Sequence, residues 1–283
     1  MMLDAASLSQ ALTDRYGVHM AGEARKDADG LRAEFRPVDL PHTRGFSVDI
    51  LIGWRTVEVD FAPATYGRQV LSAMAQADQE KRSVFHTFVQ AAINAGAEVT
   101  FQINGRNFGT SETDVWPIDW SSLIFGFSKG PMTIDSANPE VIDRLALTWT
   151  SRMLGSVLAL MPLEAVDQPP AGEAEGGGFQ ATITRYERST LNRQACMDFH
   201  GMVCKVCGFD FEKVYGSIGE GYIEVHHVES LASLAPGTIL NPVIDLVPLC
   251  SNCHSMAHKR RPVPYTVDEL KAIIATTAGL AKT

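Results

Sequence analysis

Apolar positions along the first half of the chain change period several times. Phe46, Val48, Ile50 and Ile52 alternate with other residues, and beyond Gly53-Trp54 so do Val57, Val59 and Phe61. A period of two separates the faces of an extended chain, so the pattern predicts two strands joined by a tight turn. Between about residues 69 and 95 the spacing turns helical. Val70, Leu71 and Met74 form one apolar group, and Phe85, Phe88, Val89, Ala92 and Ile93 form another, with Gly96 where a helix C-cap belongs. Val99, Phe101 and Ile103 then alternate into Asn104-Gly105, a dipeptide that accepts the positive φ angles of a hairpin turn. Trp116–Trp120 and Leu123–Phe127 are candidates for one or two more strands. Asn138-Pro139 supplies an N-cap with proline at the first helical position. After it Ile142, Leu145, Trp149, Met153, Val157 and Leu160 step by three or four along one long amphipathic helix. Before residue 46 the pattern is weak and predicts only a short helix near Leu8–Tyr16, then loop.

Residues 162–178 interrupt this order. The stretch is rich in Gly and Pro, has little apolar surface to bury, and reads as a linker. Beyond it, Ser189 or Thr190 is placed to cap a helix with Leu191, Ala195 and Phe199 on one face and Gly201 at its end. Thr266-Val-Asp-Glu269 has the spacing of a capping box and opens a final helix expected to turn Leu270, Ile273 and Ile274 inward. The expected fold class is α+β: an N-terminal α+β domain of two hairpins plus helices over 1–161, a linker at 162–178, and a small second domain over 179–283.

Composition adds that 45% of the 283 residues are hydrophobic, enough for a sizeable core, and that the net charge is -9. An acidic chain is a poor general coat for nucleic acid, whose non-specific affinity comes from Lys and Arg. The acid is unevenly placed, however: residues 185–261 carry 8 basic and 8 acidic side chains, so the C-terminal half is the better place for a polyanion. No run of about 18 apolar residues predicts a membrane span, and the N-terminus lacks the pattern of a signal peptide. Five cysteines, four of them in CxxC pairs, suit metal binding in a reducing compartment, and a cytoplasmic location is expected. Cys196 is left over and reads as a small buried hydrophobe.

Those pairs carry the chemistry. The chain reads Cys204-x-x-Cys207, Glu224-Val-His226-His227, then Asp245-Leu-Val-Pro-Leu-Cys250-x-x-Cys253-His254-x-x-x-His258. Four cysteines can hold one tetrahedral structural Zn²⁺, and that site is then full. His226 and His227 are neighbours on a predicted strand, so their rings leave on opposite sides; His254 and His258 share one helix face. These histidines are too many for a zinc knuckle alone and suggest a second, accessible metal site.

The segment resembles the HNH (ββα-metal) endonucleases, most closely the zinc-containing domain at the C-terminus of McrA-type restriction enzymes. The resemblance implies that His226, His254 and His258 bind a catalytic divalent metal (Mg²⁺ or Mn²⁺, with Ni²⁺ or Zn²⁺ also compatible with imidazole). It implies that His227 is the general base and that Asp245 stands where the family has an Asn that orients that base. It also implies DNA as substrate, cut to 5′-phosphate and 3′-hydroxyl ends, in a restriction or phage-defence role, with modification-dependent target choice as one form of it. Arg193, Lys259, Arg260 and Arg261 flank the motif as candidate phosphate contacts, with Arg185 and Arg188 further upstream. Cutting both strands with one active site per chain would call for a homodimer. The competing readings are a non-catalytic zinc-bearing module that binds DNA or protein, and a nuclease directed at RNA. Among the aromatic residues of the N-terminal domain, Trp54, Trp116, Trp120, Phe125 and Phe127 are expected in the core rather than free to stack on a base.

Overall fold

The computed structural model describes residues 2–164, 183–184, 188–229, 240–260 and 263–280. The chain divides into two units, Met1–Leu191 and Asn192–Thr283. Of the expected linker, all but 162–164 lies outside the described residues.

The first unit is built on the alternation seen in the sequence. Strands β3 (Phe46–Ile52) and β4 (Val57–Pro63) pair antiparallel, Ile50 opposite Val59, and bury Val48, Ile50, Val59 and Phe61 on one face. The expected loop before residue 46 is instead two further strands, β1 (Met20–Lys26) and β2 (Leu31–Pro37), after helix α1 (Ala5–Tyr16). Their inward set is Leu31, Ala33 and Phe35 on β2, while β1 buries Met20 and continues through Gly22 and Ala24. Small residues on the inner face erase the hydrophobic contrast by which strands are recognised. Helices α2 (Arg68–Ala75) and α3 (Gln79–Asn94) follow. Gly96, just past the end of α3, adopts φ +87, a left-handed value at which a side chain would be strained.

Strand β5 (Glu98–Ile103) turns at Asn104-Gly105, both at positive φ, into the short β6 (Arg106–Asn107), as the dipeptide predicts. Of the candidates near 116–127, Leu123–Lys129 forms β7, while Trp116–Trp120 is irregular and buries both tryptophans. The sheet order is β1-β2-β3-β4-β7-β5-β6, antiparallel throughout. Helix α4 (Pro139–Leu160) packs on it and on α1 and α3. Asn138 accepts the Glu140 N–H at 3.1 Å, the cap that Asn-Pro promised. Amphipathicity holds only for the first half of α4: from Trp149 to Leu160 nearly every residue is buried. Trp54, expected in the core, stands 86% exposed at the β3–β4 turn, because the alternation ends at Ile52 and resumes only at Val57. Short strands β8 (Leu163–Glu164) and β9 (Ile183–Thr184) pair parallel.

The second unit is assembled from short pieces. Helix α5 (Arg188–His200) begins ahead of the expected caps at Ser189 or Thr190, and Gly201 ends it at φ +78. Helix α6 (Phe211–Tyr215), the antiparallel pair β10 (Glu224–His227) and β11 (Leu246–Leu249), α7 (Ser251–Ala257) and α8 (Val267–Leu280) complete it. One core cluster gathers Val206, Val247, Leu249, Ala257 and Leu270 around the buried cysteines Cys204, Cys250 and Cys253. A cluster this small gives limited hydrophobic stabilisation, the condition under which domains add a metal. The capping box forms as read: Thr266 N–H donates to Glu269 Oε2 at 2.8 Å and Glu269 N–H to Thr266 Oγ1 at 3.2 Å. Ile273 and Ile274, expected inward, are 48% and 44% exposed; in the first turn of α8, Leu270 is buried in the core and Val267 packs against it. Among the described residues no helix is long and apolar enough to cross a membrane.

Candidate active site and metal centres

The Cys204–Cys207 knuckle is shaped by its backbone. Gly208 N–H donates to the Cys204 carbonyl and Cys204 N–H to the Phe209 carbonyl, each at 2.9 Å, while Lys205 N–H reaches Pro248 on β11 at 3.0 Å. These bonds carry the first cysteine pair to the second, Cys250 and Cys253, at the start of α7. All four sulfurs lie within 4.8 Å of one another. Cys207 Sγ stands 3.7 Å from Cys250 Sγ; sulfurs at ~2.3 Å from a tetrahedral zinc would stand roughly 3.8 Å apart. Burial pushes the thiols of Cys250 and Cys253 up. At Cys204 burial works the same way but is outweighed by N–H donors from Cys207, Cys250 and Val206, which bring it to about 7. A set that favours one thiolate but resists four asks for a cation, so the residues present fit zinc. Cys196 is fully buried away from this set, and burial pushes its thiol up to about 12.

The imidazoles form a second, separate group. On β10, residues two apart share a face, so Glu224 and His226 point together, towards α7, and His227 points the other way. The centroid of the His226 ring lies 5.1 Å from that of His254 and 4.8 Å from that of His258, and the latter two are 5.0 Å apart. Ligand nitrogens of the three rings fall within 4.8 Å of one another. His258 is the residue just past α7, still close to His254 because its N–H bonds the His254 carbonyl. His226 is 3% exposed, and its Nδ1 is buried without a hydrogen-bond partner among the described residues. Burial, helped by the neighbouring histidines, holds its pKa down to about 4, so it remains the neutral imidazole that a metal requires. An orphaned buried nitrogen beside two more imidazoles fits a divalent cation.

Glu224, which stands in the motif without an assigned role, joins this group. Its Oε2 accepts a hydrogen bond from Nδ1 of His254, and Ser251 on the first turn of α7 bonds the same carboxylate. The Ser251 and His254 bonds hold Glu224 below the usual carboxylate range. With Nδ1 engaged, His254 presents Nε2 to the cluster, an orientation that carboxylate–histidine pairs commonly impose on metal ligands. The signal for it lies in the sequence as an acidic residue two before His226, on the same strand face.

His227 is partly buried. Desolvation lowers its pKa first and His254 second, while the nearby Asp245 charge raises it. Among the described residues no hydrogen bond joins the His227 ring to Asp245. The Asp245 carboxylate instead accepts the Asn241 N–H at 2.7 Å, so it acts on His227 through charge. Of the candidate phosphate contacts, Lys259 is exposed. Arg193 donates to the Ile223 carbonyl at 2.7 Å, beside Glu224. Arg260 is committed elsewhere: its guanidinium pairs with both oxygens of Glu269 at 2.8 and 2.7 Å and bonds the Val263 and Pro264 carbonyls. That bidentate pair draws Arg260 towards α8, which no local pattern foretold. Arg185 and Arg261 lie outside the described residues.

No curated protein and no solved structure matches the chain. The family model described as HNH endonuclease matches residues 204–260, from the first zinc-type cysteine past the last histidine. The C-terminal unit therefore carries an HNH endonuclease domain.

Proposed function

We propose that the chain is a metal-dependent endonuclease that hydrolyses DNA phosphodiester bonds. The observation that carries this reading is the convergence of His226, His254 and His258 on one point, apart from a complete set of four cysteines. A zinc-pinned binding module has no use for the second group. When bound there, a divalent cation supplies Lewis-acid polarisation of the phosphate and stabilises the charge on the leaving oxygen.

The chain's own residues do the rest. His227, on the opposite face of β10 from the ligand His226, stays neutral near pH 7 because burial and His254 lower its pKa, and so can take a proton from the attacking water. Asp245 favours the imidazolium that results. Glu224 fixes the His254 tautomer. Lys259, next to His258, contacts the backbone of the substrate, and the first unit selects target or context in a restriction or phage-defence setting. Trp54, the one exposed member of the five aromatic residues considered above, is its best placed base-stacking side chain.

The test is incubation of supercoiled plasmid with Mg²⁺ or Mn²⁺ and either the wild-type chain or His227→Ala. Nicking by the wild type and a loss of about 10²-fold or more in the variant is expected, the scale of a general base. Equal nicking by both removes His227 from this role, and cleavage of a structured RNA alone would move the substrate to RNA.

A further inference from the structure

The turn that leads into β11 is closed by a chain of side-chain bonds that begins outside it. Asp245 Oδ2 accepts the Asn241 N–H at 2.7 Å, Asn241 Oδ1 accepts the Val243 N–H at 2.9 Å, and the Val243 carbonyl accepts from Nε2 of His200 at 2.9 Å. The Ile244 and Asp245 N–H groups both bond the Asn241 carbonyl, at 3.1 and 2.8 Å. At the other end, the Asp245 carbonyl accepts the N–H of Val228, the residue directly after His227, at 2.9 Å. His200 is the last residue of α5, held there by the turn at Gly201, whose N–H bonds the Met197 carbonyl at 2.8 Å. A carbonyl only accepts, so the His200 ring carries a proton on Nε2. The ring also packs edge-on to Phe199, with centroids 5.0 Å apart, which limits its rotation.

Resting on the nuclease reading, we infer that His200 is a positioning residue for the general base: it anchors the 241–245 turn and so holds the Asp245 carboxylate beside His227. The physical need is plain. Among the described residues Asp245 makes no hydrogen bond to the His227 ring, so its effect on that ring depends on distance, and distance is set by the turn. Pro242 is buried, but Val243 is only partly buried and Ile244 is exposed, so the stretch of the turn next to Asp245 has little packing of its own. His200 belongs to neither the metal ligands nor the substrate surface. Its influence travels through Val243, Asn241 and Asp245.

The experiment compares wild type, His200→Ala and His200→Gln as full-length, zinc-loaded chains. Glutamine keeps an N–H donor at the reach of Nε2, and alanine keeps none. Expected is a fall in kcat of about tenfold for His200→Ala, as for a small misplacement of a catalytic group. KM and the metal concentration for half-activation stay unchanged, and His200→Gln recovers most of the loss. In the same samples, hydrogen exchange at the Asn241, Val243 and Asp245 amides rises in the alanine variant and returns towards wild type in the glutamine variant. A wild-type kcat in His200→Ala overturns the inference, and so does a glutamine variant as slow as alanine. If the wild-type chain cuts no nucleic acid under any condition, the nuclease reading falls; unchanged exchange in His200→Ala would then also reject the anchor itself.

Discussion

A single carboxylate shows how the site is held at the scale of residues. Glu224 spends its charge on His254 and Ser251, which fixes both the ring tautomer and the first turn of α7. Glu224→Gln should weaken binding of the catalytic cation by about 10- to 100-fold, the usual cost of losing such a support. Metal titration followed by nicking rate reads this, and unchanged zinc content shows that the cysteine site is intact. All seven candidate cysteine and histidine ligands were legible in the sequence, because CxxC pairs and HxxxH are spacings that metal geometry imposes locally. Glu224 was visible as a neighbour of His226, but its role depends on where α7 lies, a tertiary fact. The Arg260 pairing is tertiary for the same reason: beside His258 it reads as a phosphate contact, and its bond to Glu269, nine residues on, depends on where α8 lies.

Elements tell a similar story. Strands with strong contrast, such as β3 and β4, were readable; β1 and β2 were not, since Gly22, Ala24 and Ala33 stand where large apolar residues would mark the face. The opposite face of this sheet carries a row of carboxylates, Glu23 opposite Glu34, Glu34 opposite Asp49, and Asp49 opposite Asp60. Desolvation raises the Asp49 pKa, and Glu34 adds to the rise. A raised folded-state pKa means stability that is full below the unfolded value of 3.8 and declines as pH rises through the folded value. Asp49→Asn should therefore raise the unfolding temperature of the first unit at pH 7, by the equivalent of roughly 0.5–1 kcal/mol for relieving a like-charge cross-strand contact. Calorimetry at pH 4 and pH 7 checks the sign: the gain should shrink at pH 4. On α8, Thr266→Ala removes one half of the capping box and should destabilise the helix by about 1 kcal/mol, read as faster exchange at the Glu269 and Leu270 amides. The exposure of Ile273 and Ile274 escaped the periodicity because a pattern gives the apolar stripe but not how far along it the core extends.

For the whole molecule, two units carry different risks. Among the described residues, the first has a seven-stranded sheet and four helices, α1 to α4, to stabilise it, while the second is built on a small core cluster around its cysteines. Chelation should unfold the second unit while the first keeps its cooperative transition, which two-step thermal melts with and without chelator would show. Loss of both transitions together would mean that the first unit also depends on zinc. A role for that unit in target choice is testable by Trp54→Ala, which should weaken binding to nucleic acid with little change in its stability, since the side chain is in solvent. The proposed activity requires two independent cation sites in the C-terminal unit. Native mass spectrometry of the chain loaded with Zn²⁺ measures this directly. Two ions are predicted for wild type, one for His226→Ala/His258→Ala, and retention of the sulfur-bound ion in that variant. A wild-type chain that takes up one ion, or a double-histidine variant that still takes up two, would contradict it.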